Sequence, residues 1–193
     1  MYEKLSITEN TLQILCLFTH GFESEFYIRE VRSLLNISPR TAQLILDDLE
    51  KKGILESKLK GKIRLYRLNP SNMTKRYLVL VEQYKSIVFL QKDLLIKEII
   101  EKITPYIDGI GAIFGSYAKG LQRKGSDLDI FVAGSYSDKI EKVSKIYGLD
   151  ISIKRYPMDK FGLSKDVLVK EVLKDHVVFL SAEQFIEKVF ENH

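Results

Sequence analysis

Cysteine, histidine, proline and tryptophan are all scarce in this chain. Its 193 residues include one cysteine, three histidines, four prolines and no tryptophan. A single cysteine excludes an intramolecular disulfide and a cysteine-based metal centre. Cys16 lies in the apolar run "TLQILCLF", which predicts a small buried core residue. His20, His176 and His193 are scattered without metal-ligand spacing, so a His/Cys zinc site is not expected. No run of eighteen apolar residues occurs, so no membrane span is expected. The first ten residues, "MYEKLSITEN", carry acids and lack an apolar secretory core, so a cytoplasmic protein is expected. Internal repeats and low-complexity tracts are also absent.

What is present is enough apolar residue, 45%, to build a core, and 29% charged residues, usual for a soluble chain. The net charge of +4 is unevenly placed. Residues 1–76 carry thirteen Lys/Arg against nine Asp/Glu, whereas residues 77–193 carry seventeen of each. An excess of positive charge confined to the first part of the chain points to an anionic partner for that part.

Residues 6–19 predict a helix, capped by Ser6 or Thr8 and stopped at Gly21. "EFYI" is a short extended piece and "REVRSLLN" a second helix. In "SPRTAQLILDDLEKKG", Ser38 is positioned as a cap, Pro39 takes the first helical position and Gly53 ends the helix. Ala42, Ile45, Leu46 and Leu49 recur with helical spacing on one face. Two alternating runs flank Lys60-Gly61 and predict a hairpin. The order helix, strand, helix, helix, hairpin resembles the winged helix-turn-helix domains of small prokaryotic transcription regulators, over about residues 5–69. Lys58, Lys60, Lys62 and Arg64 all have even numbers and are expected on one face of the hairpin, as a basic ribbon for DNA phosphates. Arg40, Thr41 and Gln43, early on the third helix, are the candidate contacts to double-stranded DNA. Asp47, Asp48 and Glu50 on the same helix count against that reading, and a protein-contact module is its rival.

From Lys75 to Ile103 there is neither glycine nor proline. One helix of that length would run about 42 Å. It would link two domains, pair with its copy in a homodimer, or break near Gln91-Lys92. The division expected is a DNA-binding domain over 1–70, a long linker or dimerisation helix over 71–103, and a second domain over 104–193. The last part alternates strand and helix: "GIGAIFG", "SYAKGLQ", "DLDIFVAG", "SDKIEKVSKIY", "LDISIKRY", "SKDVLVKEVLKD", "HVVFL" and "SAEQFIEKVFEN". The fold class expected is therefore α/β (α+β) for the larger domain, with a smaller, mostly α domain before it.

The segment "GSYAKGLQRKGSDLDIFV" carries the chemistry. Strand alternation puts Asp127 and Asp129 on one face and Leu128, Ile130 and Val132 on the other. Two carboxylates on one face repel unless a cation lies between them. Oxygen-only ligands suit Mg²⁺ or Mn²⁺, which bind through one or two carboxylates together with substrate phosphates. Gly115 lets the backbone approach a ligand, and Ser116 offers a hydroxyl and an N–H at a helix start. Lys119, Arg123 and Ser126 lie in the same stretch and are candidates for phosphate and nucleotide contact. Asp150, on the next strand, is a third carboxylate for metal or for proton acceptance, and Lys154 shares its parity.

Gly115-Ser116, then ten residues, then Asp127-Leu128-Asp129, then Asp150 resembles the nucleotidyltransferase superfamily of the DNA polymerase β type. Over about residues 104–193 the wording is most similar to the minimal nucleotidyltransferases of prokaryotes. Lys119 stands where many members of that group carry Arg, so bidentate phosphate contact is lost while the charge is kept. The resemblance implies transfer of a nucleoside monophosphate from an NTP, ATP first among them, to an acceptor hydroxyl. Asp127, Asp129 and Asp150 would be both metal ligands and catalytic residues, with Gly115, Ser116, Lys119 and Ser126 on the nucleotide. The acceptor stays open among protein, RNA and small molecule. The alternative is a transcription regulator whose second domain only binds nucleotide, or a protein partner in a toxin–antitoxin-like pair.

Overall fold

The computed structural model describes residues 7–162 and 166–191. The chain folds as two compact units, Met1–Val81 and Glu82–His193. Ser6 and His193, considered above, lie outside the described residues. Among the described residues no helix is long and apolar enough to cross a membrane.

The N-terminal unit begins with α1 (Glu9–Phe18), capped by the Thr8 side chain, which accepts from the Thr11 backbone N–H. α2 (Ile28–Leu35) ends at Asn36 in the left-handed region, and α3 (Pro39–Lys51) starts behind Ser38, whose hydroxyl accepts from the Thr41 N–H at 3.0 Å. Ile14, Leu15, Phe18, Val31, Ala42, Leu46 and Leu49 close the core between the three helices. Cys16 is only partly buried, because it faces away from the stripe formed by Ile14, Leu15 and Phe18. β1 (Leu55–Lys60) and β2 (Ile63–Leu68) form the hairpin, and Phe26 adds a single antiparallel bridge to Tyr66. Tyr66 is fully buried and donates its hydroxyl to Asp47 at 2.9 Å; burial above all, then that bond, pushes its phenol up to about 12. This element order is compatible with a winged helix.

The hairpin corrects the expected basic ribbon. Lys60 pairs with Ile63, so the two-residue turn is Gly61-Lys62 rather than being centred on Lys60-Gly61. Directly paired residues share a face. Since Leu59 pairs with Arg64 and Lys58 with Leu65, even numbering does not carry across the turn. Arg64 therefore points to the face opposite Lys58 and Lys60. There its guanidinium meets Asp47 and Glu50 of α3 and donates to Ser57 at 2.8 Å.

The stretch 75–103 is not one helix. α4 (Asn72–Lys92) and α5 (Leu94–Ile103) are separated at Asp93, whose extended backbone and side chain cap α5 through the Ile96 N–H at 3.1 Å. The division between the two units falls within α4.

In the C-terminal unit, β3 (Ile107–Ile113), α6 (Gly115–Ala118), β4 (Leu128–Tyr136), α7 (Lys139–Tyr147), β5 (Ile151–Tyr156), α8 (Val167–Lys174), β6 (Val177–Leu180) and α9 (Ala182–Val189) follow in turn. The four strands lie in the order β5-β4-β3-β6, with β4 and β5 parallel and the other pairs antiparallel. On one face Ile113, Leu128, Ile130 and Val132 pack with Ile96, Ile99, Ile100 and Ile103 of α5 and with Ile140 and Val143 of α7. Phe131 looks to the other face, where Tyr156, Phe161 and Phe185 continue a chain of ring contacts.

A buried polar cluster sits beside this second core. Glu82 of α4 is 0% exposed, and Lys85 donates to its Oε1 at 3.0 Å. His176, just before β6, places Nδ1 3.0 Å from the Val172 carbonyl and Nε2 3.0 Å from the Lys85 Nζ. A carbonyl only accepts, so Nδ1 carries the proton and, in the neutral ring, Nε2 receives one from Lys85. Burial first, then the Lys85 charge, lowers the His176 pKa and keeps the ring neutral. Burial alone would raise Glu82; the Lys85 charge, with its hydrogen bond, reverses that and holds it at about 2.

Both lowered values act in one direction. As pH falls, the unfolded chain protonates His176 near 6.5 and Glu82 near 4.5 while the folded chain does not, so stability is lost on acidification. Urea midpoints should fall below about pH 6.5 and fall further between about 4.5 and 2. His176→Gln should flatten the first part of that curve and leave the second; an unchanged slope from about pH 6.5 to 5 would contradict the assignment.

Candidate active site

β4 is an interior strand, and the site is built where it begins. Leu128, Ile130 and Val132 are fully buried on the α5/α7 face. Alternation sends Asp129 to the opposite face, two residues ahead of Phe131. Asp129 is half-buried, and Asp127, one residue before the strand, is exposed. Burial in the first place, with Asp127 and Glu171 adding like charge, pushes the Asp129 carboxyl above the ordinary aspartate value. A hydrogen bond from Ser152, its neighbour on β5, and the positive charge of Lys154 oppose the rise.

The Gly-Ser pair arrives at the same place from β3. The Phe114 N–H donates to the Asp129 carbonyl at 3.0 Å, and the chain then turns at Gly115 with φ +69°. A Cβ at Gly115 would run into the Asp129 carboxylate, whose Cγ would lie 3.2 Å away. Glycine is thus required twice, for the backbone angle and for the close approach. Ser116 follows on the short helix α6 and is partly exposed.

Asp150 precedes β5, and its carbonyl accepts from the Leu128 N–H at 2.8 Å. Because Leu128 pairs with Ile151 in parallel register, Asp150 starts its strand beside Asp127, at the same end of the sheet. Asp150 is exposed. Lys119 is exposed on the turn after α6, its ammonium 3.9 Å from Glu171. Ser126 closes the basic loop: its hydroxyl accepts from the Arg123 N–H, and its own N–H donates to the Arg123 carbonyl, both at 2.9 Å. Tyr117 reaches the Ser126 carbonyl at 3.5 Å; burial first, then Asp93 and Asp127, push its phenol up.

Gly115, Ser116, Asp127, Asp129 and Asp150 thus share one end of the sheet. Among the described residues no three His, Cys, Asp or Glu side chains converge closely enough to hold an ion by themselves. The donor chemistry nevertheless fits Mg²⁺ or Mn²⁺, which take one or two carboxylates and fill the remaining positions with water and phosphate oxygens. Ser152 and Glu171 are additions that sequence reasoning missed. Ser152 was findable from strand parity, since it shares the Asp150 and Lys154 face; Glu171, on α8, had no such signal.

In the N-terminal unit, Arg40 and Gln43 are exposed on α3, whereas the Thr41 side chain is engaged with Ser38 at 2.8 Å. Lys58 is paired with Glu25, and its charge and hydrogen bond hold that carboxyl below the ordinary range. Arg67 pairs with Glu56. Lys60 and Lys62 are exposed at the tip and form no ion pair among the described residues.

The family model described as nucleotidyltransferase domain matches residues 94–187. The matched span begins with α5 and includes the whole site just described. The crystal structure of AF1382 from Archaeoglobus fulgidus is similar at 22% identity, covering 45% of this chain and 92% of its own, with a TM-score of 0.36. No curated protein matches the chain.

The close approach of Gly115 to Asp129 is separable from backbone strain. Gly120 has nearly the same angle, φ +65°, but open space around it. Gly120→Ala should cost only the left-handed penalty, about 1 to 2 kcal/mol. Gly115→Ala should cost more in urea titrations and also abolish nucleotide-induced stabilisation. Equal costs with nucleotide binding intact would show that the Asp129 contact is unimportant.

Proposed function

We propose that this end of the sheet transfers a nucleoside monophosphate from an NTP, ATP as first candidate, to an acceptor hydroxyl. The observation that carries the reading is the packing of Gly115 on the carboxylate of Asp129, which brings a backbone turn fit for phosphates against a pair of acids. Asp127 and Asp129 would hold the divalent ion, Mg²⁺ or Mn²⁺. When bound, that ion supplies neutralisation of phosphate charge, the main demand of phosphoryl transfer.

The remaining work falls to the chain. Gly115 and Ser116 bind the β- and γ-phosphates through backbone N–H groups and the Ser116 hydroxyl. Lys119 is released from its long, exposed contact with Glu171 to add positive charge, and Ser126 fixes the loop that covers the nucleotide. The acceptor oxygen bonds to the α-phosphorus as the bond from that phosphorus to the β-phosphate oxygen breaks. Pyrophosphate leaves, and the acceptor proton passes to Asp150, whose exposure beside Asp127 leaves it open to an incoming hydroxyl. The raised pKa of Asp129 implies that occupancy of the site weakens as pH falls toward that value.

Labelled NTP with Mg²⁺ or Mn²⁺ and cell extract tests this directly. Wild type should label an acceptor; Asp127→Asn and Asp129→Asn should each lose at least about a hundred-fold in rate. Asp150→Asn should lose rate while NTP still raises the melting temperature. Undiminished labelling by the Asp127→Asn/Asp129→Asn double variant would overturn the proposal.

A second activity is favoured by one observation, the exposed set Arg40, Gln43, Lys60 and Lys62 on the N-terminal unit. These residues suit double-stranded DNA, with Arg40 and Gln43 on base edges and the two lysines on phosphates. With Arg64 turned toward α3, fewer phosphate contacts are available than an all-basic wing would give. Lys60→Ala/Lys62→Ala should therefore reduce the slope of log K against log salt by about 2 in gel shifts on duplex DNA. Absence of binding at low salt would leave this unit a protein-contact module.

A further inference from the structure

A second groove lies in the C-terminal unit, away from the Gly115–Asp129 contact. It has a volume of about 580 Å³ and is lined by Lys102 in the last turn of α5, by Tyr106 just after that helix, and by Lys139, Lys142, Ile146 and Tyr147 along α7. Ligand sites fall in this size range. Residues 139, 142, 143, 146 and 147 form one stripe of α7. The inner edge of that stripe, Val143, belongs to the core, and its outer edge presents cations and an isoleucine that is 77% exposed.

Two features make this more than a solvated surface. No acid lines the groove, and none of its three lysines forms an ion pair among the described residues. Three like charges around one concavity repel one another, a cost that an anion in the groove would remove. The walls also hold two aromatic rings, and the Lys139 ammonium already lies 5.5 Å from the centre of the Tyr106 ring.

We propose that this groove binds a single-stranded nucleic acid. An acidic peptide would be satisfied by the lysines alone; rings set between cations match bases set between phosphates. A duplex would hide its base faces from Tyr106 and Tyr147, so the strand is single. This binding does not depend on the nucleotidyl-transfer reading.

Fluorescence anisotropy with the full chain and labelled oligouridine or oligodeoxythymidine of about 12 nucleotides tests it, the two strands separating RNA from DNA as the source. Wild type should bind at low salt and resist displacement by polyglutamate. Lys102→Ala/Lys139→Ala/Lys142→Ala should reduce the salt slope by about 2, at roughly 0.7 per phosphate on single strands. Tyr147→Leu keeps apolar packing but removes the ring, and should weaken binding about five-fold or more. Lys142→Glu, on the exposed side of α7, gives the same answer should the triple variant fold poorly. Binding should survive in Asp127→Asn/Asp129→Asn, so a failed transfer assay is distinguishable from a failed groove. The proposal is overturned by no binding at low salt, by displacement with polyglutamate, by unchanged binding in the groove variants, or by binding that depends on Lys60 and Lys62 instead.

Discussion

Asp129 stands where an interior strand would ordinarily carry an apolar residue. It follows Asp127 on the same side, precedes Phe131, and is loaded with like charge from Asp127 and Glu171. Its environment partly relieves this through the Ser152 hydrogen bond and the positive charge of Lys154. The rest of the site follows from keeping the carboxylate in place. β3 must end two residues before Gly115, the backbone must turn left-handed there, and nothing larger than hydrogen fits on Gly115. The β4–β5 register then brings Asp150 alongside. An arrangement that costs stability in the free protein is intelligible when a cation and phosphates complete it.

The two buried ionic arrangements of the C-terminal unit differ in kind. Around Glu82 the charges are opposite, with Lys85 on Oε1 while Oε2 is buried without a hydrogen-bond partner; the neutral His176 ties the cluster to the backbone of α8 through Val172. Such a cluster organises packing. Around Asp129 the nearest acids have the same sign and one side is open. The first lowers a carboxyl, the second raises one, although burial pushes both upward. The sign of the neighbouring charge separates a structural group from a reactive one.

Much of this was legible from local chemistry. Ser38-Pro39 announced α3, and strand parity placed Asp127 and Asp129 on one face. Parity failed at the hairpin because its turn is Gly61-Lys62, which makes paired numbers sum to an odd value and puts Arg64 opposite Lys60. The break at Asp93 had a signal, an N-cap residue ahead of Leu-Leu-Ile, that an unbroken helical pattern obscured. Nothing local marks Glu82 and Lys85, three apart on one helix, as a buried cluster; it is completed by His176, 94 residues from Glu82. The α7 groove was hidden for the same reason, since Lys102 and Lys139 meet only in the folded chain.

The central claim is that Asp129 is held at a cost to the fold and made favourable by its ligands. Melting temperatures of wild type and Asp129→Asn, each with and without Mg²⁺ and NTP together, address it most directly. The account predicts that Asp129→Asn melts higher than wild type without ligand, because an amide is neither charged nor repelled by Asp127. With Mg²⁺ and NTP the order should reverse, since only the carboxylate gains from the cation. A variant that melts lower without ligand, or that gains as much from Mg²⁺ and NTP as wild type does, would contradict it.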